Sequence, residues 1–311
     1  MRFCPVRALV LALIIIPAST NAQTVPAPAG KQWNSTWTDE FNVGPSDLTG
    51  WTYDLGTGQD GWGNGESQSY TNSTNNVSVS GGALRITAIG TTNGSTTSYT
   101  SGRIRTTSIF SQKNGLFEFR AKLPAGQGLW PAVWMMPTTS AYGGWPQSGE
   151  IDIVEARGQN TGAVVGAVHS GTSPQTQATM SATYSPAGFD ITQFHTYALQ
   201  WTAGPSPSQP GSLQWYVDGN LFQTRTGGWV VPAGATNADA PFDQPFYLIM
   251  NLAVGGQFTG FVTPGAGSYE MQVDYARAYQ VVNVPEPAGL AFFAIAGAVA
   301  LGRRCRQGGV Q

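Results

Sequence analysis

Apolar and polar residues alternate with a period of two in several short segments of the chain. Residues 116–123 and 195–201 follow this pattern, and residues 214–222 alternate around an Asp-Gly pair that is typical of a hairpin turn. Residues 246–254 are apolar except for one asparagine, which predicts a strand buried on both faces. No window keeps apolar residues at helical spacing, so the pattern predicts strands and no convincing helix.

Many short strands separated by turn signals predict an all-β sandwich, and 40 Gly and 20 Pro among 311 residues agree with frequent turns. We expect a curved antiparallel β-sandwich, a jelly roll whose concave face forms a substrate cleft. Residues 91–100, rich in Ser, Thr and Gly, are expected to form a surface loop. Residues 24–30 and 281–285 have the composition of short linkers.

The two ends of the chain differ in composition from its middle. Residues 1–22 combine two arginines, an apolar run and a small-residue cleavage site, which predicts a secretory signal peptide. Residues 283–311 contain Val-Pro-Glu-Pro, a mostly apolar run and a basic end, which suit brief membrane engagement or an ordinary tail anchor. Both cysteines lie in these segments, so the central domain, residues 23–282, is expected to fold without a disulfide.

One predicted strand carries three carboxylates, Glu150, Asp152 and Glu155, alternating with Ile and Val. Alternation places the first two on one face of a sheet and Glu155 on the other. A β-bulge at Ile153 or Val154 would return Glu155 to the face of the other two. Three carboxylates on one face repel one another and lose hydration, which destabilises the fold. Such an arrangement therefore indicates a functional role.

Glycoside hydrolysis is a reaction that needs this arrangement. A retaining glycosidase uses a carboxylate nucleophile and a carboxylic acid about 5–5.5 Å apart. Glu150 and Glu155 can converge on such a spacing, and Asp152 can share a proton with the nucleophile and keep the pKa of the acid raised. The alternative is a solvated acidic strand face.

The segment from Glu150 to Glu155 resembles the bulged E-x-D-x-x-E signature of glycoside hydrolase family 16, in particular its laminarinases. Further segments resemble the same group in the same order: residues 37–41, 101–104, 129–137, 241–256 and 273–279. The resemblance implies a concanavalin-like jelly roll and a retaining endo-β-1,3-glucanase, with Glu150 as nucleophile and Glu155 as acid and base.

The resemblance also implies residues that bind the substrate: Trp130, Trp134, Trp145, Arg103, Asn64, His169, Asn251 and Gln257. Aromatic side chains suit the apolar C–H faces of sugar rings, although any one tryptophan could belong to the core, where we place Trp201 and Trp215. Arg103 could instead form a structural ion pair. Of the two histidines, His195 is expected to be structural.

Many members of this family carry one structural calcium, and the resemblance implies such a site here. Its ligands would be the carboxylate of Asp274 and backbone carbonyls near Glu40 and Gly82, since calcium prefers oxygen ligands. No cofactor is expected for catalysis. The C-terminal segment resembles the PEP-CTERM sorting signal, which implies processing by an exosortase and release at the cell surface or matrix of a Gram-negative bacterium.

Charge narrows the range of partners. Residues 23–284 contain ten Lys and Arg against sixteen Asp and Glu, which argues against nucleic acid and, more weakly, against sulfated or uronic polysaccharides. We expect a monomer that binds a neutral β-glucan outside the cell. Four alternatives stay open: a mixed-linkage β-1,3-1,4-glucanase, an agarase-like enzyme with the same bulge, a non-hydrolytic glucan-binding jelly roll, and a transglycosylase.

Overall fold

A computed structural model describes residues 24–42, 44 and 48–284 of the chain. In this part, strands form two β-sheets that pack face to face, as the hydrophobic pattern predicted. The predicted signal peptide and all but two residues of the predicted sorting tail lie outside the described residues. No described helix has the length and apolar character needed to cross a membrane.

The first sheet, called here the outer sheet, has ten strands. They are β1 (Lys31–Asp39), β3 (Gln68–Tyr70), β4 (Val77–Ser80), β5 (Ala83–Asn93), β6 (Thr96–Ser101), β8 (Gly115–Lys122), β13 (His195–Thr202), β14 (Ser212–Val217), β15 (Asn220–Thr226) and β17 (Gly267–Asn283). Its main path runs β15-β14-β13-β8-β17-β5-β6-β3, with β1 paired to β17 and β4 to β5. Its pairs are antiparallel except β3 with β6.

The second sheet, called here the groove sheet, has seven strands in the order β12-β11-β10-β9-β16-β7-β2. They are β2 (Thr52–Tyr53), β7 (Arg103–Arg105), β9 (Leu129–Pro137), β10 (Glu150–Glu155), β11 (Val164–Ser170), β12 (Ala178–Tyr184) and β16 (Phe246–Val254). Three short helical turns, Gly61–Gly65, Pro174–Thr176 and Gln257–Thr259, lie in the connections. Two largely antiparallel sheets with an open groove form the predicted jelly roll.

Period-two alternation explains the core between the sheets. Phe117 and Phe119 of β8 are fully buried, and Met135 of β9 and Ile151 of β10 belong to the same buried cluster from the side of the groove sheet. The strand at Phe246–Val254 is buried along nearly its whole length, as its continuous apolar run predicted. Most of the stabilisation of the fold comes from this apolar interface, since the central domain has no cysteine.

Three segments differ from the sequence prediction. Residues 91–100 are not a loop, because β5 and β6 continue through them as a hairpin that turns at Gly94. The predicted C-terminal linker is still strand up to Asn283, which pairs with Lys31. Part of the predicted N-terminal linker is bound to the outer sheet, where Val25 is 1% exposed. At the two predicted linkers the contacts join residues far apart in sequence, whereas residues 91–100 pair with one another and only their small polar side chains indicated a loop.

The predicted bulge lies in β10. The pairing register shifts between Asp152 and Val154 against β9, and between Asp152 and Glu155 against β11. Trp215 of the outer sheet donates its indole N–H to the backbone oxygen of Asp152 at 2.8 Å, and both groups are buried. Gly166 of β11 makes room, because a Cβ there would lie 2.5 Å from the Trp215 ring. The core therefore supports the bulge from below.

Candidate active site

A groove of about 970 Å³ crosses the groove sheet. At a strand spacing of about 4.8 Å, seven strands make the sheet roughly 29 Å wide. All eleven candidates for catalysis and substrate binding line this groove: Asn64, Arg103, Trp130, Trp134, Trp145, Glu150, Asp152, Glu155, His169, Asn251 and Gln257. Residues separated by up to 193 positions in the chain thus line one groove.

The bulged strand β10 presents its three carboxylates to the groove, while Ile153 and Val154 are buried in the core. Two tryptophan indoles form hydrogen bonds to Glu150 and Glu155, the first and last of the three acids. Trp145 donates to Glu150 Oε2 at 2.8 Å, and Trp130 donates to Glu155 Oε1 at 2.9 Å. Each glutamate is therefore oriented by its own tryptophan, and the two stand at opposite ends of one short strand.

His169 of β11 contacts the middle carboxylate. It is the cross-strand partner of Glu150, and its Nε2 lies 3.0 Å from Asp152 Oδ2 and 3.8 Å from Glu150 Oε1. Its Nδ1 lies 2.6 Å from the amide nitrogen of Gln177, which can only donate. The imidazole therefore lies between Gln177 on one side and the two carboxylates on the other, with Nε2 directed at Asp152.

The electrostatics of the three acids follow from burial and crowding. Burial, with a further contribution from the charge of Asp152, raises the pKa of Glu150 to about 8. Burial also raises the pKa of Asp152. Burial and the charge of Asp152 raise the pKa of Glu155, while the hydrogen bond from Trp130 and the charge of His169 oppose the shift. The site therefore keeps protons near neutral pH, as general acid catalysis requires.

Beside the acids, a chain of hydrogen bonds fixes the second tryptophan of the groove floor. Trp134 donates to Asn251 Oδ1 at 2.7 Å, and the amide of Asn251 donates to the Tyr70 hydroxyl at 3.0 Å. That hydroxyl donates to Glu66 Oε2 at 3.2 Å. Asn251 is 5% exposed, so its contacts in this structure position Trp134.

Arg103 lies between two aromatic rings. Its guanidinium carbon is 4.5 Å from the centre of the Trp62 ring and 4.8 Å from that of Trp134. Its Nε also lies 2.9 Å from Asp54 Oδ2, so the ion pair considered from sequence exists, although its partner is Asp54 and not one of the three groove acids. Arg103 thus holds both rings and a carboxylate at one end of the groove.

Two loops meet along the groove rim near Glu155. Gln257 donates to Asn64 Oδ1 at 3.1 Å, which links the helical turn after β16 to the loop before β3. Phe258 stacks on Trp130 with ring centres 4.9 Å apart, and the guanidinium carbon of Arg157 lies 3.8 Å from the centre of the Phe258 ring. This stack supports the indole that bonds to Glu155.

Several groove residues escaped the sequence analysis: Trp62, Met136, Gln177, Thr179, Ser181 and Phe258. They lie in loops or on β9 and β12, where nothing in the local pattern separates a groove residue from an ordinary surface residue. His195 lies on the outer sheet, where Asp218 and the Asp190 carbonyl face its two ring nitrogens, as expected for a structural histidine.

The described residues offer two places where a metal could be considered. Ligand-type atoms of Glu150, Asp152 and His169 in the groove come within 4.8 Å of one another. On the outer sheet, register places Asp274 between the segments of Glu40 and Gly82, because Asp39 pairs with Ala276 and Leu84 with Val273. Asp274 Oδ2 accepts from Arg120 at 2.7 Å, which leaves its other oxygen for a cation.

Two glutamates on one bulged strand, each held by a tryptophan in an open aromatic groove, define the class of the protein: it is a glycoside hydrolase. The family model for glycosyl hydrolases family 16 matches residues 64–277. The chain belongs to this family.

Known members resemble the chain over most of its length. Glucan endo-1,3-beta-glucosidase A1 of Niallia circulans is 43% identical over 279 residues, or 84% of this chain, although the chain spans only 40% of that protein. A beta-glucanase of Rhodothermus marinus is 40% identical over 257 residues, with 81% of this chain and 86% of that protein covered. The X-ray structure of the laminarinase from Rhodothermus marinus matches 81% of this chain and 99% of its own, at 39% identity and a TM-score of 0.66.

Proposed function

We propose that the protein is a retaining endo-β-1,3-glucanase that cuts laminarin-type β-glucans inside the chain. The observation that carries the proposal is the pair Glu150 and Glu155, which a β-bulge brings to one face at the bottom of an open groove. The names of the relatives at 40–43% identity support a glucan as substrate.

In the proposed mechanism the two glutamates act on opposite sides of one glycosidic bond. Glu150 attacks the anomeric carbon while Glu155 gives its proton to the leaving oxygen, which breaks the glycosidic bond and forms a glycosyl ester with Glu150. Glu155, now ionised, takes a proton from water, and the resulting hydroxide breaks the ester and restores both residues. The raised pKa of Glu155 suits its first role.

Asp152 and His169 tune this pair in the proposal. Asp152 lies beside Glu150 and raises its pKa, so a proton bound to Asp152 would favour the ionised nucleophile. His169 faces both carboxylates, and its charge lowers the pKa of Glu150 and of Glu155. The tryptophans of the groove would stack against the sugar rings on either side of the cut bond.

The test is a reducing-sugar assay with laminarin, lichenan, agarose and carrageenan in parallel. We expect turnover on laminarin that exceeds turnover on the other three. Faster cleavage of lichenan would favour the mixed-linkage alternative, and cleavage of agarose alone would favour the agarase-like one. Binding to laminarin without any release of reducing ends would favour the non-hydrolytic alternative.

Retention is tested separately by proton NMR of the first products. A β-anomer that appears before mutarotation supports the double displacement, whereas an initial α-anomer contradicts it. Products longer than the substrate, separated by chromatography, would indicate transglycosylation, since the same glycosyl ester can pass to a sugar hydroxyl.

We also propose a single calcium ion at Asp274, with carbonyls of Glu40 and Gly82 as further ligands. Its role would be structural, because the site lies on the outer sheet and away from the groove. A ligand that binds only the folded state raises its stability. We expect EDTA to lower Tm and excess calcium to restore it, with Asp274→Asn insensitive to both; equal Tm values with and without EDTA in the wild type would contradict the site.

The proposal places the protein outside the cell as a monomer, exported through residues 1–22 and processed at residues 283–311 by an exosortase-type enzyme at the surface of a Gram-negative bacterium. Mass spectrometry of the protein recovered from the producing culture tests both cuts. An N-terminus at residue 1, or an intact C-terminus in the medium, would contradict the respective signal.

A further inference from the structure

Phe261 combines two properties that a phenylalanine rarely has together. Its side chain is 68% exposed, the highest value among the exposed large hydrophobic residues of the described chain. Its backbone also adopts φ of 59°, in the left-handed region that bulky residues avoid. Glycine or asparagine would adopt this conformation at lower cost. The folded domain therefore bears backbone strain at Phe261 and buries little of the ring in return.

The ring stands on the rim of the groove. Phe261 follows the helical turn Gln257–Thr259, and its backbone N–H donates to the Gly256 carbonyl at 2.9 Å, which fixes the loop. Its ring rests against Gly65, since a Cβ on that glycine would lie 2.9 Å from the ring. Gly65 directly follows Asn64, which lines the groove and is linked to Gln257. Phe261 thus extends the groove rim outward beyond the contact between the two loops.

The surroundings of the ring suit a neutral sugar. Apolar C–H faces of pyranose rings stack on exposed aromatic rings, and amide groups provide hydrogen bonds around such a platform. Asn64, next to the Gly65 that the ring contacts, and Gln257, four residues before Phe261, carry amide groups at this end of the groove. Phe258, three residues earlier in the same loop, already presents its ring inside the groove. The loop therefore carries one aromatic ring within the groove and a second one outside it.

We propose that Phe261 forms an accessory subsite that binds the β-glucan chain where it leaves the groove. The proposal rests on the glucanase function proposed above and adds a preference for long chains. A polymer reaches both the groove and the ring, whereas a short oligosaccharide that fills the groove does not reach the ring. The exposed ring and its strained backbone are explained together, because the gain from the ring appears only when the polymer is bound.

The first test compares Phe261→Asn with the wild type. Asparagine tolerates the left-handed conformation and removes the ring, so we expect Tm to rise. We expect the ratio of kcat/KM for laminarin to kcat/KM for a β-1,3-linked tetrasaccharide to fall about threefold to tenfold, through KM for the polymer. Phe261→Tyr keeps the ring and should keep the ratio. An unchanged ratio in Phe261→Asn overturns the subsite.

Leu221 provides the matched control. It is 49% exposed on β15 of the outer sheet, away from the groove, so Leu221→Asn should leave the ratio as in the wild type. An equal fall of the ratio in this variant would show a general surface effect and overturn the subsite. Analytical ultracentrifugation at several protein concentrations tests whether the ring mediates self-association. A dimer that Phe261→Asn abolishes would assign Phe261 to self-association instead.

A binding measurement separates this proposal from the function on which it rests. Glu150→Gln and the double variant Glu150→Gln/Phe261→Asn are compared by electrophoresis through gels that contain laminarin. Weaker retardation of the double variant supports the subsite, even if the wild type proves to hydrolyse no glucan. Equal retardation of the two overturns the subsite while leaving the glucanase function intact. No retardation of either variant overturns the subsite together with the glucan as ligand.

Discussion

The two sheets each bury acidic groups and each carry one histidine beside an aspartate, but they treat these groups differently. On the outer sheet, the fully buried Glu118 accepts three hydrogen bonds, two from Thr24 and one from Tyr275. On the groove sheet, three acids crowd on one strand, and repulsion between them adds to the effect of burial. Burial is therefore common to both sheets, and the number of donors distinguishes them.

The histidines show the same contrast. His195 has an acceptor at each ring nitrogen, Asp218 at 2.6 Å and the Asp190 carbonyl at 3.0 Å, so it joins a strand to a neighbouring loop. His169 has one ring nitrogen held by Gln177 and the other turned toward two carboxylates in an open groove. Buried polar groups that are fully paired stabilise a fold, whereas crowded and incompletely paired ones are characteristic of a catalytic site.

The largest expected effect is on kcat, which should fall in variants of the groove glutamates and not in a variant of Glu118 on the outer sheet. Glu150→Gln and Glu155→Gln should each lower kcat by at least about 10²–10⁴-fold, because each removes a group that reacts, while an amide oxygen still accepts from the tryptophan. Glu118→Gln should keep kcat within roughly twofold, since Glu118 lies on the other sheet. The measurement is kcat on laminarin together with circular dichroism.

Of these variants, Glu118→Gln should lose the most stability although it keeps its kcat. Glu118→Gln turns an amide N–H toward groups that donate, which should lower the free energy of unfolding by about 1–3 kcal/mol in urea titrations. Normal turnover in Glu155→Gln, or a kcat loss in Glu118→Gln as large as in Glu150→Gln, would contradict the contrast between the sheets.

The next largest effect is expected from loss of the hydrogen bond between the Trp215 indole and the Asp152 carbonyl, which joins the two sheets. Trp215→Phe removes the indole N–H that satisfies the Asp152 carbonyl at the bulge. An unpaired buried carbonyl should lower the free energy of unfolding by about 1–3 kcal/mol, and a displaced bulge should lower kcat as well. Trp201→Phe, also in the core, is the control and should lower stability with little change in kcat of the folded enzyme. Equal kcat values for the two variants would remove Trp215 from the support of the site.

The pH dependence of stability should report on the crowded acids of the groove sheet. The folded-state pKa of Glu150 is raised to about 8 from an ordinary value of 4.5. Its contribution to stability is therefore complete below about pH 4.5 and is lost as the pH rises through about 8. The glutamine of Glu150→Gln does not titrate. As the pH rises between these values, the Tm of the variant should therefore increase relative to that of the wild type, by about 2–4 °C for each kcal/mol of stability that the wild type loses. A Tm difference that is constant from pH 4.5 to 9 would contradict the raised pKa.

The smallest expected effect is a shift of the pH–rate profile. The charge of His169 lowers the pKa of Glu150 and of Glu155, so His169→Asn should raise both and move the limbs of the kcat/KM profile to higher pH. His195→Asn should leave the profile in place and lower Tm, because His195 bonds only within the outer sheet and its loop. A profile that moves in His195→Asn but not in His169→Asn would contradict the assignment of the two histidines.

Local sequence sufficed where a feature depends on neighbours within a few residues. Alternation predicted the strands at Gly115–Lys122 and His195–Thr202, and a continuous apolar run predicted the strand at Phe246–Val254. Parity along β10 predicted the bulge. It did not suffice at residues 91–100, where small polar residues pair with one another as a hairpin. The polar composition indicated a loop, but the hairpin only extends β5 and β6, whose neighbouring residues are already paired in the outer sheet.

The sequence by itself determined the class of fold, the three acids and the need for a bulge, because alternation and charge spacing are local properties of the chain. Only the tertiary structure decided that Trp145 and Trp130 orient the two glutamates, that Trp215 supports the bulge from the other sheet, and that Phe261 stands exposed on the rim. Such contacts depend on how distant strands and loops are brought together, so the order of residues along a single strand does not predict them.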